Sequence, residues 1–167
     1  RNPLWRYQPA YQVRPTPALT NGHITFGSCN NLGKLTDEVL ALWGRLLQAV
    51  PHSRLLIEGK NLDIEATQQT YRQHCTELGI DPERLDLVAM DSRNQYLTYH
   101  RIDIALDPFP LVGGTSTNDL LWMGVPIVTL NGNTLRNRMG VGILAHMGRH
   151  EWIARDQEEY LAIAATL

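Results

Sequence analysis

The chain has 167 residues, 43% hydrophobic and 19% charged, enough for one globular domain with a sizeable core. Seventeen acidic against fifteen basic residues leave a net charge of −2 and a pI near 6.3, without the basic surplus of a nucleic-acid binder. No run approaches the roughly 18 apolar residues that span a bilayer, no secretory leader is visible, and Cys29 and Cys75 make neither a metal cluster nor a disulfide scaffold, which favours a reducing, cytoplasmic setting.

Residues 1–23 hold four prolines, three arginines and no acid, with no strand or helix period. Proline removes backbone donors and favours extended chain, so this reads as a linker or strap. Its Trp5, Tyr7 and Tyr11 are placed to pack on a neighbouring domain, or the strap lies on this domain's own surface.

From Ile24 the pattern becomes regular. Short β-type runs (Ile24–Gly27, Arg54–Glu58, Leu85–Ala89, Ile102–Leu106, Pro126–Leu130) alternate with helical segments. The first helix follows Thr36 as its cap, repeats Val39, Trp43, Leu46 and Val50 on one face, and stops at Pro51. Others are expected over Asp63–Leu78, Arg93–Tyr99, Ser116 to Gly124, Leu135–Met147 and Gln157–Leu167. This alternation predicts an α/β domain: a Rossmann-like parallel sheet, residues 24–167, with helices on both faces.

Ligands of such sheets bind beyond the carboxyl ends of the strands, at helix N-termini. Two loops follow a strand and precede a helix in the required way, residues 28–34 and 107–119. In the second, Gly113 and Gly114 permit close backbone approach. Thr115, Ser116 and Thr117 bring hydroxyls and amides to a positive helix end suited to a diphosphate, and Asp119 suits a ribose diol. In the first, Lys34 supplies a cation and Asn31 a hydrogen-bonding amide. Spacing alone leaves both loops readable as a capped turn and an exposed lysine.

Three other patterns carry less. The run Gly140 to Ala145 fits a relaxed dinucleotide fingerprint but begins ten residues after a strand, so it reads as small residues for helix packing. Glu151 and Glu159, with seven residues between them, are read as coincidence. His146 and His150 have metal-compatible spacing but no third ligand, and Gly148 interrupts their helix; no metal site is expected.

The segment Phe26-Gly-Ser-Cys-Asn-Asn-Leu-Gly-Lys34, with Trp43 and Ala49-Val-Pro-His-Ser-Arg-Leu-Leu56, resembles the C-terminal catalytic lobe of the O-linked N-acetylglucosamine transferase and SPINDLY family. So do Arg101 to Pro110, Gly113 to Pro126 and Asn133 to Arg138, and the resemblance runs from about Ile24 to the end. It implies one lobe of a glycosyltransferase B fold, the lobe that holds the donor nucleotide, typically UDP-N-acetylglucosamine. By resemblance Lys34 contacts the donor diphosphate, Asn31 replaces a family glutamine or asparagine, Thr115 and Ser116 meet the phosphates, and Asp119 meets the ribose. Val88, Ala89 and Met90 line the base. Tyr96 falls near a family histidine, and Gly114 stands where animal members carry histidine and bacterial ones commonly glycine.

The resemblance implies inverting, metal-independent transfer to protein Ser or Thr, with no cofactor beyond the sugar nucleotide and with Lys34 as the catalytic cation. It further implies an N-terminal lobe and tetratricopeptide repeats that engage a protein acceptor. No nucleic-acid or membrane partner is expected. The 167-residue piece alone is expected to be inactive, with the family's C-terminal helices cut off after Leu167. The alternatives are a non-catalytic interaction module and a lobe of a sugar-nucleotide epimerase.

Overall fold

The computed structural model describes residues 12–91 and 95–167. Trp5, Tyr7 and Tyr11 lie outside the described residues, as do Arg93 and Asn94 at the start of the expected short helix. In chain order the elements are α1 (Ala18–Asn21), β1 (Thr25–Ser28), α2 (Asp37–Ala49), β2 (Arg54–Gly59), α3 (Glu65–Glu77), β3 (Leu85–Ala89), α4 (Gln95–Tyr99), β4 (Ile104–Leu106), α5 (Thr115–Trp122), β5 (Ile127–Leu130), α6 (Met139–His146), β6 (Ile153–Ala154) and α7 (Gln157–Thr166).

All strand pairs are parallel, in the order β3-β2-β1-β4-β5-β6. The chain moves outward from β1 to β3, then returns to place β4 against β1 and moves outward the other way. The topological switch point therefore lies between β1 and β4, and the loops leaving these two strands flank it. They are the two loops that the sequence singles out.

Strand periodicity divides the core between the two faces. Leu55 and Ile57 of β2, with Ile104 and Leu106 of β4, pack with α2, Cys75 of α3, and Tyr160 and Ala164 of α7. Leu56 and Ala105, one residue out of phase, face the opposite way and pack with Tyr99 of α4, Leu120 of α5 and Leu144 of α6. The sheet is covered on both faces, as the alternation predicts: the fold is a Rossmann-like parallel sheet.

Local signals explain the best-defined helix. Thr36 Oγ1 accepts from the Val39 amide at 3.4 Å, and Asp37 and Glu38 occupy the positive first turn of α2. Gly44 lets α2 approach the end of α3, since a Cβ there would lie 3.1 Å from the Gly79 carbonyl oxygen.

Element boundaries differ from the expectations in places, and the structure decides where the described part of the strap lies. β1 and β4 start one and two residues later, and β5 begins after Pro126, which has no N–H to give a ladder. The expected helix over Leu135–Met147 is a 3-10 turn, Leu135–Arg138, capped by Thr134, followed by α6. The two-residue β6 is too short to leave a period. Within the N-terminal strap, residues 12–23 lie on this domain: Asp103 Oδ1 accepts from the Ala18 amide at 2.8 Å and from the Thr16 hydroxyl, while Oδ2 accepts from the Thr25 amide at 2.8 Å.

Candidate functional site

Two side-chain hydrogen bonds join the loops at the switch point. The Ser116 hydroxyl, in the first turn of α5, donates to Asn30 Oδ1 at 3.2 Å, and Lys34 Nζ donates to the Val112 carbonyl at 3.0 Å. Lys34 is half-buried on a 3-10 turn, Leu32–Lys34, which Asn31 caps by accepting the Gly33 amide at 3.0 Å. An ammonium has three donors, so docking on Val112 leaves Lys34 two with which to meet an anion.

The cradle itself is built around Gly113. Asp107, fully buried directly after β4, accepts the Gly113 amide at 2.6 Å through Oδ1 and the Thr129 hydroxyl at 2.7 Å through Oδ2, while its own carbonyl accepts from Tyr160 at 3.0 Å. Burial pushes the Asp107 carboxyl up to about 6, against the Gly113 amide, the Thr129 hydroxyl and the Lys34 charge, which all pull it down. A Cβ on Gly113 would lie 2.4 Å from Thr117 Oγ1 and 3.0 Å from Asp107 Oδ1, so glycine is required by close approach. The Thr117 hydroxyl is buried without a hydrogen-bond partner.

Gly114 is the N-cap of α5 and has no side chain to occupy the first-turn amides. Those amides, with exposed Thr115 and half-buried Ser116, form an anion-receptive helix end beside Lys34. About one turn further on, half-buried Asp119 accepts the Tyr96 hydroxyl at 3.3 Å. Burial raises the Asp119 carboxyl and the Tyr96 hydrogen bond opposes that. Ala89 ends β3 and Met90 follows it, two strands from the switch point on the same edge of the sheet, where the Met90 amide donates to the Gly59 carbonyl at 3.0 Å. Beside Gly114 and Thr115, an open groove of about 650 Å³ runs between α5 and α6, lined also by Asn118, Met139, Ile143 and His146.

The structure thus gathers Asn31, Lys34, Gly114, Thr115 and Ser116 at the switch point, with the Tyr96–Asp119 pair farther along α5. Sequence reasoning passed over Asn30 and Asp107 as functional residues, and of the three hydroxyls it placed at the helix end, that of Thr117 is buried rather than turned to the open side. Asp107 had a signal, an acid directly after the apolar Ile104–Leu106 run. Nothing in the sequence chooses between Asn30 and Asn31, and only the fold shows that Asn30 spans the loops while Asn31 caps its own turn.

The patterns set aside have structural roles. A Cβ on Gly140 would lie 2.6 Å from both Asp107 Oδ2 and Thr129 Oγ1, so this glycine lets α6 approach β5. Glu151 pairs with Arg149, and Glu159 with Arg155. α6 ends at His146 and Gly148 turns the chain at φ 70°. Among the described residues there is no cluster of His, Cys, Asp and Glu fit for a metal ion, and no helix is long and apolar enough to cross a membrane.

Comparison with known proteins places this geometry. The model of glycosyl transferase family 41 matches residues 10–167. A Petunia hybrida protein named "Probable UDP-N-acetylglucosamine--peptide N-acetylglucosaminyltransferase SPINDLY" is 43% identical over 157 residues, covering 93% of this chain and 17% of the relative. The structure of a Thermobaculum terrenum O-GlcNAc transferase mutant superposes with a TM-score of 0.87 at 34% identity, over 96% of this chain and 30% of that one. Anabaena HepE in complex with UDP-glucose, at 14% identity and a TM-score of 0.52, over 93% of this chain and 48% of that one, shares the fold alone. The chain spans about a sixth of the length of the curated plant relatives it matches. On the match of residues 10–167 and on relatives at this level of identity, the chain belongs to glycosyltransferase family 41.

Proposed function

We propose that this domain is the donor-binding lobe of an inverting glycosyltransferase that transfers a sugar, N-acetylglucosamine from UDP-N-acetylglucosamine, to Ser or Thr of a protein. The observation that carries the reading is the joining of the two switch-point loops by Ser116–Asn30 and Lys34–Val112, which sets one cation beside an uncapped helix end. A diphosphate is the ligand such a pairing suits. Asp119 and Tyr96 then receive the ribose, and Ala89 and Met90 lie toward the base.

In the proposed reaction the acceptor hydroxyl attacks the anomeric carbon from the face opposite the diphosphate. The new C–O bond forms as the bond to the diphosphate breaks, and the electron pair leaves on the β-phosphate oxygen. Lys34 and the α5 amides meet that growing charge, which is the work a divalent ion does elsewhere, and this is why we read the transfer as metal-independent. The base that takes the acceptor proton is assigned to the facing lobe of the whole protein. Repeats that present the protein acceptor are likewise assigned to the rest of the chain, and a cytoplasmic location accompanies that reading.

Calorimetric titration with UDP, GDP, UDP-N-acetylglucosamine and UDP-glucose tests the proposal. Tightest binding of the uridine nucleotides supports it, and no binding of any of the four removes it.

A further inference from the structure

The carbonyl of Val112 and the amide N–H of Gly113 belong to one peptide group. Its oxygen accepts from Lys34 Nζ at 3.0 Å and its N–H donates to Asp107 Oδ1 at 2.6 Å. A cation holds the negative pole of this peptide and an anion the positive pole, so both ends of its dipole are fixed and rotation of the plane breaks both contacts at once. Asp107 is in turn held from behind: Oδ2 accepts from Thr129, the carbonyl accepts from Tyr160, and α6 passes close at Gly140, where a Cβ would lie 2.6 Å from Oδ2.

A fully buried carboxylate whose direct partners are an amide and a hydroxyl is costly to keep. An apolar residue would fill the core at this point more cheaply, and what it would lose is the hold on Gly113. Gly113 immediately precedes the N-cap of α5, so the orientation of this one peptide decides where the following amides point.

We propose that Asp107 is a positioning residue for the donor site: together with Lys34 it clamps the Val112–Gly113 peptide and so presets the turn that receives the diphosphate. This rests on the donor-site reading above. Asp107 touches no substrate and acts through Gly113. The charged and titratable groups facing it are Lys34 and Tyr160.

The test uses the natural full-length chain, with UDP-N-acetylglucosamine as the calorimetric probe and hydrogen exchange of the Gly113 amide as a reading that needs no ligand. In wild type the Gly113 amide is expected to be protected. Asp107→Ala is expected to lose that protection while the amides of Ala105 and Asp107, which donate to the Pro126 and Val128 carbonyls, keep theirs. Affinity for the probe is expected to fall about tenfold or more, the loss of a charge-assisted hydrogen bond. Asp107→Asn, whose amide oxygen still accepts from Gly113, is expected to regain all but about threefold. Should the alanine variant not fold, Thr129→Val removes one donor from the carboxylate and is expected to weaken binding by about twofold to fivefold.

A folded Asp107→Ala variant with wild-type affinity overturns the proposal, as does a wild-type Gly113 amide that exchanges freely. A wild-type protein that protects Gly113 yet binds no probe overturns the donor-site reading and leaves the clamp standing as a structural device only.

Discussion

The Tyr96 hydroxyl donates to Asp119 Oδ1 at 3.3 Å, joining α4 to the middle of α5. Asp119 is half-buried, and burial raises its carboxyl against the pull of that hydrogen bond. The tyrosine therefore favours the ionised form and fixes its direction, which suits the proposed contact with a ribose.

In the proposed site Asp119 offers hydrogen bonds to a ribose, and its removal should cost them. Asp119→Ala is expected to lower UDP affinity about threefold to tenfold, equivalent to one net hydrogen bond. Tyr96→Phe should cost less, about twofold to fivefold. Because the phenol acts through Asp119, its removal should cost less in the Asp119→Ala background than in wild type. Calorimetry on the four proteins of this cycle reads the coupling, and strictly additive losses would separate the two residues.

In the proposed reaction Lys34 meets charge that grows as the diphosphate leaves, so it should matter more to turnover than to binding. Lys34→Ala in the full-length enzyme is expected to lower kcat on the order of 100-fold, the scale of a lost oxyanion contact. Donor affinity should fall much less. Arginine should restore little, because its planar fork does not reproduce a compact ammonium held on the Val112 carbonyl. Steady-state kinetics with stability measured in parallel checks this, and wild-type turnover in the alanine variant would make Lys34 a surface residue.

Three glycines near the site should behave differently. Gly140→Ala puts a methyl 2.6 Å from Asp107 Oδ2 and from Thr129 Oγ1, and Gly113→Ala puts one 2.4 Å from Thr117 Oγ1. Each is expected to destabilise the domain by about 1–3 kcal/mol through overpacking. Gly142, inside α6, has nothing within 4 Å of its would-be Cβ. Gly142→Ala should be neutral or stabilising by up to about 1 kcal/mol through helix propensity. Urea denaturation of the three variants decides, and equal effects would refute the packing argument.

The Asp107 carboxyl, raised from 3.8 to about 6, sets a pH dependence whose sign is unusual for an acid. Between these values the folded protein binds a proton that the unfolded chain does not, so Asp107's contribution to stability falls as pH rises through the window. The total is about 3 kcal/mol, present below the window and lost above pH 6. Asp107→Asn has no such proton to lose. Its stability relative to wild type should therefore rise from pH 4 to about pH 7, by no more than about 3 kcal/mol, and then level off. Denaturation of both proteins across that range reads the difference, in which the other titrating groups cancel. A difference that stays flat with pH would place the Asp107 carboxyl near its ordinary value.

Much of this molecule is legible one segment at a time. The alternation of short β-type runs with capped amphipathic stretches specifies the α/β class, because strand and helix periods are local properties of the chain. Thr36 before Val39, Pro51 after the helix, and two glycines between a strand and a hydroxyl-rich helix start are all readable without knowing what lies across the sheet. For that reason Lys34, Thr115, Ser116 and Asp119 stand out in the sequence, and the loops that carry them are the ones the fold brings together.

What the tertiary structure alone decided is which groups hold those loops. Asn30 and Asn31 are chemically identical neighbours, and their division of labour depends on α5 arriving opposite β1, 86 positions later in the chain. Asp107 is one acid among seventeen until the Gly113 amide, the Thr129 hydroxyl and the Tyr160 phenol converge on it from a loop, β5 and α7. The partners of a buried charge come from wherever the fold places them, and sequence spacing carries no record of that. The sequence by itself determined the elements and the loops that bear chemistry, and the strand order β3-β2-β1-β4-β5-β6 determined that two of those loops make one site.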